Sequence, residues 1–280
     1  MFIDNQRKMT DTLVKEYYST QVRNEWRRLI RDAYHRLEFD TTFHFLDKYL
    51  PKRGLILDAG GGPGRYTLEL AKKGYDVVLL DATRANLDFA LRQIKRHGLQ
   101  ARVPEITAGS IVDLSRFSDA SFDAVLCSGG PLSHILDPHQ RESAISELIR
   151  VVKPGAPIFV SVIGLFGVMV EILIYEQHEI DMPHFELIRK TGDYLGGRGF
   201  TACHFFLPEE LHQAFTRPDV HILEMVGLEG ISSNHSRQLN QLAKDEKRFK
   251  IWLDTHIQTC AHPSAIGISE HMLIVCRKNM

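Results

Sequence analysis

A glycine-rich turn lies between two aspartates whose spacing suits the binding of a nucleoside. Residues 58–64 read Asp-Ala-Gly-Gly-Gly-Pro-Gly, follow a short apolar segment and open a helical one. In a strand–turn–helix unit, glycines let the backbone approach a ligand, and a carboxylate ending the second strand can bind both hydroxyls of a ribose. A carboxylate at residue 81 meets that condition. The pattern therefore predicts a nucleoside site that contains Asp58, Gly60, Gly62, Gly64 and Asp81.

Two ligand classes use such a turn, dinucleotides and S-adenosylmethionine, and the details of this turn separate them. The dinucleotide pattern GxGxxG would require a third glycine at position 65, which is Arg65. The carboxylate of Asp58 would repel a pyrophosphate but suits a ligand that carries an ammonium and a sulfonium. We therefore predict S-adenosylmethionine as the cofactor. A turn that serves only tight packing of a strand against a helix is the alternative.

The segments around the turn alternate between apolar runs and helical ones. Strands are predicted at 54–59, 76–81, 103–108, 122–127 and 158–163, and helices at 65–73, 85–97 and 140–151. The apolar runs lack a two-residue alternation, as expected of parallel strands that are buried on both faces. This rhythm predicts an α/β fold with a parallel sheet and helices on both faces.

The chain departs from this rhythm on both sides of the alternating segments. Apolar residues at three- and four-residue spacings in residues 11–50 predict an N-terminal helical cap over residues 1–50, with Asp40 capping a later helix. Residues 164–207 hold six glycines, which predicts a partly helical, lid-like insertion over the active site. Further predicted elements are a helix at 208–215, strands at 220–225 and 271–276, and a helical stretch at 234–259. We expect one domain over residues 51–280.

Charge, cysteine content and hydropathy argue against several other classes of protein. The 34 basic and 35 acidic residues give a net charge of -1, which offers no general attraction for a nucleic acid. The four cysteines lie far apart without a CxxC pair, so we expect no metal site and the reduced thiols of a cytoplasmic protein. The most apolar run, residues 159–175, is too short and too interrupted to span a membrane, and residues 1–10 hold no apolar signal core.

Four segments together resemble the class I S-adenosylmethionine-dependent methyltransferases. Residues 55–64 are similar to the first motif of that family, and Leu80-Asp81-Ala82 is similar to its acidic second strand. Residues 121–127 resemble its fourth strand, and residues 148–155 resemble the helix and turn before the fifth. The resemblance covers residues 40–163 well and the last two strands weakly, and it is specific for fold and cofactor rather than for substrate.

The resemblance implies a Rossmann-like sheet of seven strands whose last strand is antiparallel. It implies that Gly60 and Gly62 approach the methionine part of the cofactor, that Asp58 lies near its ammonium, and that Asp81 holds its ribose. Near the adenine, where the family often has an acidic residue, this chain has Ser110, followed by Ile111. The predicted cofactor-binding residues are Asp58, Gly60, Gly62, Gly64, Asp81, Ala82, Ser110, Ile111, Ser128 and, from the N-terminal helix, Tyr18.

His134 is the candidate catalytic residue, because it lies in the loop after the fourth predicted strand. In the methyltransferase fold this loop borders the methyl group that is transferred. An imidazole that titrates near neutrality could remove the proton of a hydroxyl or thiol acceptor. The alternative is a histidine that only bonds to the backbone.

The insertion carries aromatic and histidine residues that could enclose a small, partly apolar acceptor. The predicted substrate-binding residues are therefore Tyr175, His204 and His134. A satellite core beneath a long loop is the alternative for this segment.

We therefore expect an S-adenosylmethionine-dependent methyltransferase with a small-molecule substrate and no nucleic-acid or membrane partner. An RNA or protein methyltransferase is the runner-up, and a protein that binds the cofactor without transferring its methyl group is a third possibility. The sequence names neither the accepting atom nor the oligomeric state.

Overall fold

The computed structural model describes the backbone of residues 2–197 and 199–280 and the side chains from Thr10 onwards. Met1 of the predicted cap and Arg198 of the predicted insertion lie outside the described residues. The strands are β1 Leu55–Ala59, β2 Asp76–Asp81, β3 Glu105–Ala108, β4 Ala124–Cys127, β5 Pro157–Ile163, β6 Asp193–Tyr194, β7 Cys203–His204, β8 Val220–Gly227 and β9 His271–Lys278. The helices are α1 Phe2–Arg28, α2 Ala33–Tyr49, α3 Arg65–Lys72, α4 Arg84–Arg96, α5 Pro138–Val151, α6 Leu165–Tyr175, α7 Pro183–Thr191, α8 Pro208–Ala214, α9 Ser236–Leu242, α10 Glu246–Thr259 and α11 Pro263–Gly267.

Seven strands form one sheet in the order β3-β2-β1-β4-β5-β9-β8. Strands β1 to β5 pair in parallel with one another, and β9 pairs antiparallel with both β5 and β8. The prediction of a Rossmann-like sheet with an antiparallel last strand is thus confirmed. The chain builds outward from β1 to β3 and then returns to place β4 on the other side of β1. A crevice therefore opens at the carboxyl ends of β1 and β4, where ligands bind in such sheets.

The apolar strands form because both faces of the sheet are covered. Ile56 and Leu57 are neighbours on β1 and point to opposite faces, where each joins a separate buried apolar cluster. Leu126 lies on the same face as Ile56, and Val125 lies on the same face as Leu57. This double burial explains why the sequence shows continuous apolar runs rather than alternation.

The N-terminal helices begin differently from the prediction. Asp32 caps α2, where its carboxylate accepts a hydrogen bond from the backbone N–H of His35 at 3.0 Å. The prediction that Asp40 caps a helix is wrong, because Asp40 lies inside α2 and pairs there with Arg36, one turn earlier. An aspartate before threonines resembles a cap locally, but the helix had already begun.

The end of α1 packs across the start of α3 and the side of α4. The Trp26 ring lies 5.4 Å from the ring of Phe89, and the Arg65 guanidinium carbon lies 3.5 Å from the centre of the Trp26 ring. Arg65 also donates a hydrogen bond to the Trp26 carbonyl at 2.6 Å. These contacts hold α1 over the crevice at the end of β1.

The insertion is partly helical, as predicted, and has a small core of its own. It contains α6, α7 and the β6–β7 hairpin, whose residues pack together in an apolar cluster of Leu165, Ile172, Ile188, Tyr194, Cys203 and Phe205. The alternative of a satellite core therefore describes this segment, and its closure as a lid stays a prediction. Among the described residues, no helix is long and apolar enough to cross a membrane.

Candidate active site

A cleft lies between α1 and the turn that follows β1. The space between its walls, including the part that is open to solvent, is about 1130 Å³. Eight of the ten predicted cofactor-binding residues line it, namely Tyr18, Gly60, Gly62, Asp81, Ala82, Ser110, Ile111 and Ser128. His134 lines it as well. The carboxyl-end loops of β1, β2, β3 and β4 thus bring residues that are distant in sequence to one site.

The turn presents bare backbone to the cleft at Gly60 and Gly62. Both have positive φ angles, +78° and +57°, which residues other than glycine rarely adopt. A Cβ on Gly60 would lie 2.6 Å from Pro131, whereas a Cβ on Gly62 would meet only Asn86, at 3.9 Å. A side chain at Gly62 would therefore fill space that a ligand can occupy.

Asp58 lies beneath the turn and does not line the cleft. Its Oδ2 accepts hydrogen bonds from the backbone N–H of Thr67 at 3.1 Å and from the Thr67 hydroxyl at 2.5 Å. Burial raises the pKa of Asp58 to about 6, although the Thr67 donors oppose the shift. Its Oδ1 is buried and has no hydrogen-bond partner among the described residues. Asp58 therefore ties the turn to α3, and its approach to a ligand ammonium stays a prediction. Gly64 likewise lies at the start of α3, outside the cleft lining.

Asp81 faces the cleft and organises the turn at the same time. Its Oδ2 accepts the N–H of Gly62 at 2.9 Å, and its Oδ1 accepts the N–H of Thr83 at 2.8 Å and the amide of Asn86 at 3.2 Å. Burial raises the pKa of Asp81, and these donors oppose that rise. A carboxylate has about four lone-pair directions, so three donors leave about one for a ligand hydroxyl.

Unpartnered polar atoms in the cleft lining indicate a polar ligand. Ser128 Oγ and Asn86 Oδ1 are buried and have no hydrogen-bond partner among the described residues. Buried polar groups are normally hydrogen-bonded, so a ligand that supplies the missing partners would stabilise this site. At the adenine end of the predicted site, Ile111 is buried, and the exposed Ser110 accepts a hydrogen bond from Val112 N–H at 3.3 Å.

Arg28 places a guanidinium at the cleft, held by two carboxylates. Its terminal nitrogens form a two-point pair with Glu38, and its Nε lies 3.2 Å from Glu25. A Cβ on Gly129 would lie 3.5 Å from Arg28 Nη2, which places the guanidinium beside the loop after β4. Sequence reasoning missed Glu38, because no local spacing links it to the last turn of α1.

Glu38 also belongs to a buried charged cluster behind the cleft. His271 Nδ1 lies 2.8 Å from a Glu229 oxygen and 3.9 Å from a Glu38 oxygen. Burial opposes the charged ring, but the two carboxylates prevail and raise the pKa of His271 to about 9. The cluster thus joins Arg28 at the cleft to β9 in the sheet.

Tyr18 and His134 form a hydrogen-bonded pair in the wall of the cleft. Tyr18 Oη lies 2.7 Å from His134 Nε2, and His134 Nδ1 lies 2.9 Å from the carbonyl oxygen of Ala202. Burial lowers the pKa of His134 to about 4, although the bond to Ala202 opposes the shift. The alternative of a histidine that only bonds to the backbone therefore holds for Nδ1 alone, because Nε2 contacts Tyr18, which lines the cleft.

Two predicted substrate residues lie away from the cleft. His204 is buried between Asp193, at 2.6 Å from its Nδ1, and Glu210, at 2.8 Å from its Nε2. Tyr175 ends α6 and is 57% exposed. Contact of either residue with an acceptor stays a prediction that would require the insertion to move.

Comparisons with known proteins point to methyltransferases. Residues 56–155 match the model of a methyltransferase domain. The chain is 28% identical to a glycine/sarcosine N-methyltransferase of Halorhodospira halochloris over 52% of each protein. It is 27% identical to a ubiquinone biosynthesis O-methyltransferase of Rickettsia felis, over 62% of this chain and 63% of that protein. The chain thus spans about half to two thirds of the length of these curated relatives.

Solved structures share the fold at low sequence identity. An S-adenosylmethionine-dependent methyltransferase from Methanosarcina mazei matches with a TM-score of 0.60 at 22% identity, over 84% of this chain and 97% of that one. The 1,6-didemethyltoxoflavin-N1-methyltransferase of Burkholderia thailandensis, solved with S-adenosylhomocysteine, matches with a TM-score of 0.59 at 14% identity, over 98% and 91%.

Proposed function

Because the chain belongs to the class I S-adenosylmethionine-dependent methyltransferases, we propose that it transfers a methyl group from S-adenosylmethionine to a small-molecule acceptor. The observation that carries the proposal is the linkage of Asp81 to Gly62 across the cleft floor. One carboxylate fixes the turn that would meet the methionine part and keeps about one acceptor direction for the ribose. The bare backbone at Gly62 leaves room for the ligand.

The cleft residues fit S-adenosylmethionine along its whole length. Asp81 would hold the ribose, Ile111 would pack on the adenine, and Arg28 would lie near the carboxylate of the methionine part. Ser128 Oγ would find there the hydrogen-bond partner that it lacks among the described residues. The cofactor supplies an electrophilic methyl group on a sulfonium. The protein then has to align the acceptor with that methyl group and to exclude water.

A small-molecule acceptor is supported by charge and by the curated relatives. One of those relatives is named for N-methylation of glycine and sarcosine, and the other for O-methylation in ubiquinone biosynthesis. The net charge of -1 gives no general attraction for RNA.

The four buried, free cysteines support the prediction of a cytoplasmic protein.

Turnover in fractionated cell extract tests the proposal. The purified protein is incubated with S-adenosylmethionine and either the small-molecule or the macromolecular fraction, and S-adenosylhomocysteine is measured by mass spectrometry. We expect release with the small-molecule fraction. Release only with the macromolecular fraction, with RNA retention that weakens as salt rises, would support the RNA alternative. Cofactor binding without release in either fraction would indicate a protein that only binds the cofactor.

A further inference from the structure

We propose that Tyr18 is a catalytic residue that takes the proton of a hydroxyl acceptor while it passes its own phenolic proton to His134. The inference rests on the proposed function and deepens it, because it names a proton path and a class of acceptor. Tyr18 lies on α1 and His134 on the loop after β4, and both line the cleft. Their contact joins segments that are 116 residues apart.

The direction of the hydrogen bonds follows from the partners. The Ala202 carbonyl can only accept, so His134 Nδ1 must carry a hydrogen and donate it. A neutral imidazole with its hydrogen on Nδ1 has an acceptor at Nε2, so the Tyr18 hydroxyl donates to Nε2. The phenolic oxygen then keeps its lone pairs for a donor in the cleft. A hydroxyl of the acceptor is such a donor.

Most other acidic and basic groups of the cleft have partners or are exposed. The Tyr66 hydroxyl also lies in the cleft lining, but it is buried without a hydrogen-bond partner among the described residues and so has no group to which it could pass a proton. Asp81 holds the turn, and Glu25 pairs with Arg28. Asp11 and Lys15 also line the cleft but are exposed to solvent. Among the described cleft residues, the Tyr18–His134 pair is therefore the best placed to receive a proton inside the protein.

The step balances in atoms and electrons. The acceptor oxygen forms a bond to the methyl carbon while the carbon–sulfur bond breaks, and that electron pair stays on the sulfur. The O–H proton of the acceptor moves to Tyr18 Oη, and the phenolic proton moves to His134 Nε2. Tyr18 is thus unchanged, and His134 becomes an imidazolium that keeps its Nδ1–H bond to Ala202. His134 returns the extra proton to solvent when the product leaves.

The surroundings of the pair favour hydroxyl over amine acceptors. The groups that face the pair are Tyr17, Glu25 and Arg28 from α1 and Cys203 from β7. Burial lowers the pKa of His134 to about 4, so the ring is a weak base that remains neutral at physiological pH. A hydroxyl becomes strongly acidic as its oxygen is methylated, so its proton can pass to such a base. A methylated amine is about as basic as lysine and would keep its proton.

Nuclear magnetic resonance of the His134 ring nitrogens tests the hydrogen-bond direction without any acceptor. We expect the Nδ1–H form in the wild-type protein, persisting on titration to well below pH 6. In Tyr18→Phe, we expect the Nε2 resonance to shift because it loses its donor. An Nε2–H tautomer, or protonation near pH 6.5, would overturn the relay. Calorimetry with S-adenosylhomocysteine on the same samples tests the proposed function separately, because its binding does not need this tautomer.

Kinetics with the small-molecule extract fraction tests the catalytic role. Tyr18→Phe and His134→Gln should each lower the turnover rate roughly 10²–10⁴-fold, the usual range for a positioned acid–base group. The relay assigns Tyr18 to the acceptor in place of the sequence-based prediction that it binds the cofactor, so affinity for S-adenosylhomocysteine should stay within about threefold in both variants. Tyr17→Phe is the matched control, because Tyr17 packs edge-on against Tyr18 at 5.3 Å but does not line the cleft.

Three outcomes separate the possibilities. Loss of turnover in Tyr18→Phe but not in Tyr17→Phe, with an O-methylated product, supports the relay. Wild-type turnover in Tyr18→Phe, or a product methylated on nitrogen or sulfur, overturns the relay and leaves the proposed function intact. Failure of the wild-type protein to bind S-adenosylhomocysteine contradicts the proposed function, whatever the tautomer of His134.

Discussion

Replacement of Asp81 should weaken cofactor binding. Asp81→Asn keeps the size of the side chain but replaces one carboxylate oxygen by an amide nitrogen, which cannot accept. Three donors, from Gly62, Thr83 and Asn86, currently converge on the two oxygens. The amide NH₂ group of the substituted side chain would therefore point at one or more of these N–H donors without accepting a hydrogen bond. The negative charge beside the predicted ribose site would also be lost.

The size of the effect follows from the bonds that remain for the ligand. About one lone-pair direction of Asp81 is left for a ribose hydroxyl, and a hydrogen bond to a charged group contributes about 1.5–3 kcal/mol. At 1.4 kcal/mol per factor of ten, this predicts a 10- to 150-fold loss of affinity. Asp81→Ala would also remove the hydrogen bond from Gly62 N–H, and the turn could then move. The same range is therefore a lower bound for the loss of affinity in Asp81→Ala.

Calorimetry with S-adenosylhomocysteine on wild type, Asp81→Asn and a control measures this loss. Asp76→Asn is the matched control, because Asp76 begins the same strand at the opposite edge of the sheet and forms an exposed ion pair with Arg102. We expect the control to bind like the wild type. Equal affinity in Asp81→Asn, in a protein that is still folded by circular dichroism, would remove Asp81 from the cofactor site and refute the reasoning.

Three further predictions concern the buried charges and the insertion. The pKa of His271 is raised to about 9, so the charged ring stabilises the fold fully below about pH 6.5, and this stabilisation is lost as the pH rises through 9. The free energy of unfolding, measured with urea, should therefore fall by up to roughly 3 kcal/mol over this range. His271→Gln should abolish that decline. The pKa of Asp58 is raised to about 6, so the folded state binds the extra proton and loses stability as the pH rises from about 4 to 6. Relative to wild type, Asp58→Asn should therefore be more stable at pH 7.5 than at pH 4.5 by up to about 2 kcal/mol, and equal differences at the two pH values would contradict the shift. Hydrogen exchange in the insertion should slow when S-adenosylhomocysteine and the acceptor bind together, and unchanged protection would leave it as ordinary structure.

The sheet could be predicted because its signals are local. The apolar runs, the glycine turn and the spacing between them reveal β1, β2, β4 and β5 within a few residues of their observed bounds. The start of α2 was missed, because Asp40 with its threonines looks like a cap, while the real cap at Asp32 depends on where the preceding helix ends. Helix boundaries of this kind depend on tertiary packing rather than on propensity.

Apart from Tyr18, which was predicted from the resemblance to the family, the predicted residues that line the cleft lie on one continuous motif or on a loop at a strand end. Gly60, Gly62 and Asp81 are of this kind, and they line the cleft. The pairing of Tyr18 with His134 joins distant segments, so no sequence spacing could indicate it. The histidine content of the insertion indicated possible chemistry, but His204 points into its own carboxylate pair rather than into the cleft.

A crystal structure of the protein with S-adenosylhomocysteine tests the central claim most directly. We expect a ribose hydroxyl within hydrogen-bond distance of Asp81, the adenine in contact with Ile111, and the sulfur on the Tyr18 side of the cleft. A ligand bound elsewhere on the sheet, or in this cleft with its ribose away from Asp81, would contradict the account.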